Sequence, residues 1–95
     1  MSKTLQKKMQ GELDPLTEAE KYFATHDMAC AAALIMRGFE MSSLDKGDPR
    51  KVKFVFKGSK GISDALKDFW DGRLLVDAQG YFNVIKRLKN MIYSE

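Results

Sequence analysis

The stretch that most limits what this chain can become is Met28-Ala-Cys-Ala-Ala-Ala-Leu-Ile-Met36, which contains no charged or hydrogen-bonding polar side chain. Asp27 stands just before it and can accept hydrogen bonds from the free amides of a helix start. Gly38 stands just after Arg37, where a helix commonly stops in the left-handed conformation. A helix from about Asp27 to Arg37 would be apolar nearly all round, so it belongs inside the fold rather than on its surface. Its alanines allow close approach to a sheet. The run is far shorter than the roughly 18 apolar residues of a membrane-spanning helix, and the chain has no longer one.

The flanking segments supply strands. Tyr22-Phe-Ala-Thr25 reads as a short strand ahead of the central helix. Phe39 and Met41 alternate with Glu40 and Ser42, the pattern of a half-buried strand. Asp45-Lys-Gly-Asp-Pro49 is a cluster of turn formers. In Lys51–Lys57, Val52, Phe54 and Phe56 point one way and Lys51, Lys53, Val55 and Lys57 the other. The two strands around this turn predict a hairpin.

Ser59 is placed to cap a second helix whose apolar face is Ile62, Ala65, Leu66, Phe69 and Trp70, with Gly72 ending it. Leu74-Leu-Val76 predicts a fourth strand. Asp77 then caps a long last helix with Ala78, Tyr81, Phe82, Ile85, Leu88 and Ile92 on one side. The order is β-α-β-β-α-β-α. The fold class is therefore α+β, a ferredoxin-like split βαβ arrangement with a four-stranded, mostly antiparallel sheet and an extra C-terminal helix. The expected core is Phe23, Leu34, Ile35, Phe39, Val52, Phe54, Phe56, Leu66, Phe69, Phe82, Ile85 and Leu88. With 95 residues there is room for one domain, expected over 21–95. Residues 1–20 read as an N-terminal charged tail or a short docked helix, with Thr17 and Glu20 spaced as a capping box.

Charge is placed unevenly. The formal net charge is only +3, yet Lys3, Lys7 and Lys8 have no acid among the first ten residues. Lys51, Lys53, Lys57 and Lys60 likewise have none within 51–60, and Lys86, Arg87 and Lys89 gather on the last helix. Such clusters are compatible with a polyanionic partner. No apolar stretch follows the N-terminal lysines, so a secretory signal is not expected. The single cysteine, Cys30, cannot form an internal disulfide, and one free thiol beside six methionines suits a reducing, cytoplasmic location.

The chemistry-bearing residues are few. His26 and Cys30 would share a helix face and invite a metal, but a structural zinc site needs about four Cys or His ligands and the chain has one of each. Catalysis needs a nucleophile within reach of a base, and no spacing announces such a pair. The expectation is a domain that is not an enzyme, with no cofactor, no metal and no membrane contact. Gly58-Ser-Lys-Gly61 resembles a phosphate cradle in miniature but lacks the phosphate-loop spacing.

The lysine face of the 51–57 strand is the most suggestive feature. Its functional reading is nucleic-acid binding through phosphates, without sequence preference, by Lys51, Lys53, Lys57 and Lys60, helped by Lys86, Arg87 and Lys89. The bland counterpart is a solvated strand whose lysines deter edge-to-edge aggregation. The alternative function is a protein-interaction module: a homodimer, a small subunit of a complex, or a phage-type inhibitor. Its surface would be the stripe Val84, Met91 and Tyr93 on the last helix.

Residues 22–93 resemble a family of small prokaryotic and phage-associated domains whose function is not assigned. The resemblance lies in Phe23-Ala-Thr-His-Asp27, Ala31-Ala-Ala-Leu34, Arg37-Gly-Phe39, Leu44-Asp45, Asp48-Pro-Arg50, Phe54-Val-Phe56, Phe69-Trp70 and Val76-Asp-Ala78. These are caps, turns and core positions. The resemblance implies a bacterial or phage origin and brings no catalytic residues.

Overall fold

A computed structural model describes residues 21–48 and 50–94 of the chain. The expected tail over 1–20 lies outside the described residues. In chain order the elements are β1 (Tyr22–Thr25), α1 (Met28–Met36), β2 (Met41–Asp45), β3 (Lys53–Lys57), α2 (Ile62–Trp70) and α3 (Ala78–Tyr93).

The apolar run forms α1 and takes the central place expected of it. Cys30, Ala31, Ala32, Ala33 and Leu34 are five consecutive buried residues, which on a helix means burial from every side. The Asp27 carboxylate starts the helix by accepting from the amides of Ala29 (2.9 Å) and Cys30 (3.3 Å). Gly38, at φ +93°, ends it in the left-handed conformation that a side chain would oppose. α1 packs mainly on α3, and also on α2 and β1.

The sheet is three-stranded, in the order β1-β3-β2, and wholly antiparallel. The expected fourth strand, and with it the four-stranded ferredoxin-like sheet, is not formed. Leu74-Leu-Val76 is irregular chain. Two of its backbone groups have partners at helix ends: the Leu74 amide, with that of Arg73, donates to the Asp68 carbonyl, closing the end of α2, while the Leu75 carbonyl accepts from the Arg37 guanidinium at 3.2 Å. The segment is thus held at the ends of two helices rather than laddered along a strand. Its apolar side chains divide between core and solvent, with Leu74 packed on the core and Leu75 80% exposed, and do not mark strand pairing.

Two further expectations shift. Ser59 does not cap α2; Gly61 occupies that position with φ +92° and no side-chain bond. The buried face of α3 is centred on Val84 and Leu88, not on the side carrying Phe82. At about 100° per residue Phe82 points about 160° away from Val84. Its ring is 60% exposed, with the Lys86 ammonium 5.4 Å from its centre.

One core joins the sheet to the three helices given above. Phe54 and Phe56 are its largest fully buried side chains, packed in one cluster with Leu34, Leu66, Val84 and Leu88. Both phenylalanines lie on the same side of β3, so this side of the sheet faces the helices.

Candidate nucleic-acid interface

The other side of the sheet carries no helix among the described residues. Strand alternation and register decide what stands there. On the inner side the rows are Phe23 beside Phe56 and Met41, and Thr25 beside Phe54 and Leu44. On the outer side Tyr22 pairs with Lys57, Ala24 and Ser43 flank Val55, and Lys53 pairs with Asp45. A bulge between Met41 and Ser43 lets β2 keep both sets in place, and the Ser42 hydroxyl donates to the Val55 carbonyl at 3.3 Å. Lys57 is exposed and Lys53 half-buried between its neighbours.

The lysine stripe is therefore divided. Lys53 and Lys57 remain on the outer face, about 13 Å apart along the strand. Asp45 stands directly across from Lys53, an opposite-charge pairing that offsets part of its field. Lys57 has instead an aromatic neighbour, Tyr22, which is 49% exposed. Tyr22 is the functional candidate that inspection of the sequence misses. Its alternation with Phe23 marks it as outward-facing, but only the β1–β3 register places it next to a lysine.

Lys51 precedes β3 and lines a cleft of about 260 Å³ at one end of the sheet, with His26 and Arg50 as its other basic residues. Lys60 is exposed in the turn before α2. Lys86, Arg87 and Lys89 are exposed on α3, which belongs to the helical side of the sheet, so the fold does not join them to the β3 lysines. Of the residues suggested for a protein interface, Val84 is buried in the core at 5% exposure, Met91 is packed against the core, and Tyr93 is 81% exposed. Among the described residues, Trp70, Leu75 and Phe82 are large apolar side chains that the fold leaves outside, besides Tyr22 and Tyr93.

The residues that suggested metal or catalysis have structural partners. The His26 ring Nδ1 lies 3.1 Å from the Val52 carbonyl, so it carries the hydrogen and donates. Asp27 spends its carboxylate on the α1 cap. Cys30 is 1% exposed, and burial first, then the nearby Asp27 charge, push its thiol up to about 11. The Tyr81 hydroxyl donates to the Ala29 carbonyl at 2.9 Å. Its pKa is raised by burial, with smaller contributions from Asp27 and Cys30. Among the described residues no group of three or more His, Cys, Asp or Glu could hold a metal ion, and no helix is long and apolar enough to cross a membrane.

Fold and surface together define a small α+β domain with a three-stranded antiparallel sheet, helices on one face, and tyrosine and lysines on the other. Its caps, turns and core positions are those on which the resemblance rested. The chain belongs to the family described as Domain of unknown function (DUF5659), whose model matches residues 20–94. No curated protein and no solved structure matches it.

Proposed function

We propose that this domain is a non-enzymatic binding module that holds single-stranded nucleic acid by its phosphates, without reading its sequence. One observation carries the reading: Tyr22 and Lys57 stand in register on a sheet face that no helix covers among the described residues. Single strands bind where a cation meets the backbone and an aromatic ring stacks a base, a combination that tolerates any sequence. Lys53 and Lys57 would contact phosphates, and Tyr22 would take one base. The Asp45 charge beside Lys53 points to modest affinity. The lone buried thiol fits a cytoplasmic setting.

The test is fluorescence anisotropy with labelled single-stranded DNA and RNA at several salt concentrations. Log K should fall with log salt by about 0.7 per phosphate neutralised. Changing Lys53 and Lys57 together to Gln should flatten that slope by about 1.4 units. Tyr22→Ala should weaken binding by about fivefold to a hundredfold at an unchanged slope, because stacking is worth roughly 1–3 kcal/mol per base. No binding near 50 mM salt at tens of micromolar protein would refute the reading. The exposure of Trp70, Leu75 and Phe82 favours a protein partner as the second reading, which that outcome would bring forward.

A further inference from the structure

The cleft at the end of the sheet gathers basic, apolar and aromatic side chains. Its rim holds an imidazole, a guanidinium and an ammonium, from His26, Arg50 and Lys51. Its apolar lining includes Met28, Val52 and Ile92, and Tyr93 stands at the edge with its ring largely exposed. These residues come from four places in the chain: the β1–α1 junction, the first turn of α1, the segment leading into β3, and the last turn of α3.

The cations are not neutralised by the described residues. Among the described residues neither the Arg50 guanidinium nor the Lys51 ammonium has an acidic partner. The nearby acids are engaged elsewhere: Asp48 accepts from the Arg50 amide at 3.0 Å within its own turn, and Asp27 caps α1. Because His26 Nδ1 donates to Val52, Nε2 is the ring atom left to a ligand. The far wall is braced too. Lys46 Nζ donates to the carbonyls of Met91 (3.0 Å) and Ser94 (2.9 Å), which holds the end of α3, with Ile92 and Tyr93, against the hairpin turn.

We infer that this cleft is a separate binding site for a phosphate monoester carried on an aromatic body. A guanidinium fork and an ammonium together suit a dianion with three terminal oxygens, and the imidazole adds a third polar contact. The apolar lining and the Tyr93 ring suit the body to which that phosphate is attached. At about 260 Å³ the cleft is smaller than the roughly 300 Å³ at which drug-sized sites begin, so it takes one ring-and-phosphate unit. The ligand has two possible sources, the phosphorylated end of a single strand or a free mononucleotide-like phosphate. The first rests on the function proposed above; the second does not.

The experiment uses the full chain and amide NMR. Phenyl phosphate is the probe, with inorganic phosphate and phenol as controls, followed by anisotropy on oligonucleotides bearing a 5′-phosphate or a 5′-hydroxyl. Phenyl phosphate should shift the amides of His26, Arg50, Lys51 and Tyr93 and bind more tightly than either control. Arg50→Gln should weaken it about tenfold to a hundredfold, the loss expected of a charge-assisted contact. Lys67→Gln, on the exposed side of α2, should leave it unchanged. Arg50 lies in an exposed turn, so an unchanged melting temperature in the variant separates lost binding from lost fold. Tighter binding of the 5′-phosphorylated strand supports the strand-end source. Phenyl phosphate binding with no oligonucleotide binding keeps the site, assigns it to a free phosphate, and removes the nucleic-acid function. Oligonucleotide binding that ignores the terminal phosphate, with no phenyl phosphate shifts in the cleft, overturns this inference and leaves the sheet-face reading standing.

Discussion

Replacing Phe54 by alanine tests the architecture at its most buried point, and Phe82→Ala is its natural partner. Phe54 is 1% exposed and packed between the sheet and the helices, whereas Phe82 is 60% exposed on the outside of α3. Truncating a fully buried phenylalanine costs roughly 3–5 kcal/mol, from lost transfer free energy and the cavity left behind. A domain of this length has on the order of 5–10 kcal/mol in total. With about 4–8 °C of melting temperature per kcal/mol, Phe54→Ala should melt at least about 12 °C below the parent or fail to fold near 37 °C. Phe82→Ala removes a ring that is mostly in water, with one exposed cation–π contact from Lys86, and should cost no more than about 1 kcal/mol. The assay is thermal unfolding followed by circular dichroism, with urea titration as a second probe. A fall of under about 5 °C for Phe54→Ala would mean that β3 presents the opposite side to the helices. An equal loss for Phe82→Ala would mean that α3 is rotated from the orientation described.

Other perturbations test narrower points. Cys30 should react with a thiol reagent far more slowly in the folded protein than after denaturation, since it is both buried and held protonated; rapid native labelling would contradict its placement. The sign for stability follows: a thiol raised from 9.0 to about 11 contributes stability that is complete below about pH 9 and is lost as pH climbs through 11, and Tyr81 adds to the same trend. Denaturant midpoints that stay level from pH 8 to 11 would count against it. Lys46→Met removes the cation at the α3 C-terminus and should cost about 0.5–1 kcal/mol, with faster amide exchange confined to the last turn; uniform exchange changes would refute the brace. Asp45→Asn keeps an acceptor for the Gly47 amide while deleting the charge across from Lys53, so single-strand affinity should rise severalfold at low salt. An unchanged or weaker affinity would move the binding surface away from the outer sheet face.

Much of the chain could be read from local chemistry, since the decisive forces act within a few residues. The apolar run between Asp27 and Gly38 had to be a buried helix, because a carboxylate starts it and a left-handed glycine stops it. Alternation in β3 was enough to put Phe54 and Phe56 inside and Lys53 and Lys57 outside. The Asp77 cap and the length of α3 were legible in the same way. Tertiary structure decided the rest. Leu74-Leu-Val76 is a short apolar run of the kind a strand shows, yet a strand also needs a free edge, and its Leu74 amide and Leu75 carbonyl are taken by Asp68 and Arg37. The apolar positions on α3 are too many to define one face, so packing against α1 chose Val84 and Leu88 and left Phe82 in water. The candidate sites show the same division. Residue types announced a basic strand, whereas register set Tyr22 beside Lys57 and Asp45 beside Lys53. Chain reversal gathered His26, Arg50, Lys51 and Tyr93 around one cleft. Spacing along the chain carries helix and strand periodicity, but which distant segments meet depends on how the whole molecule closes its core.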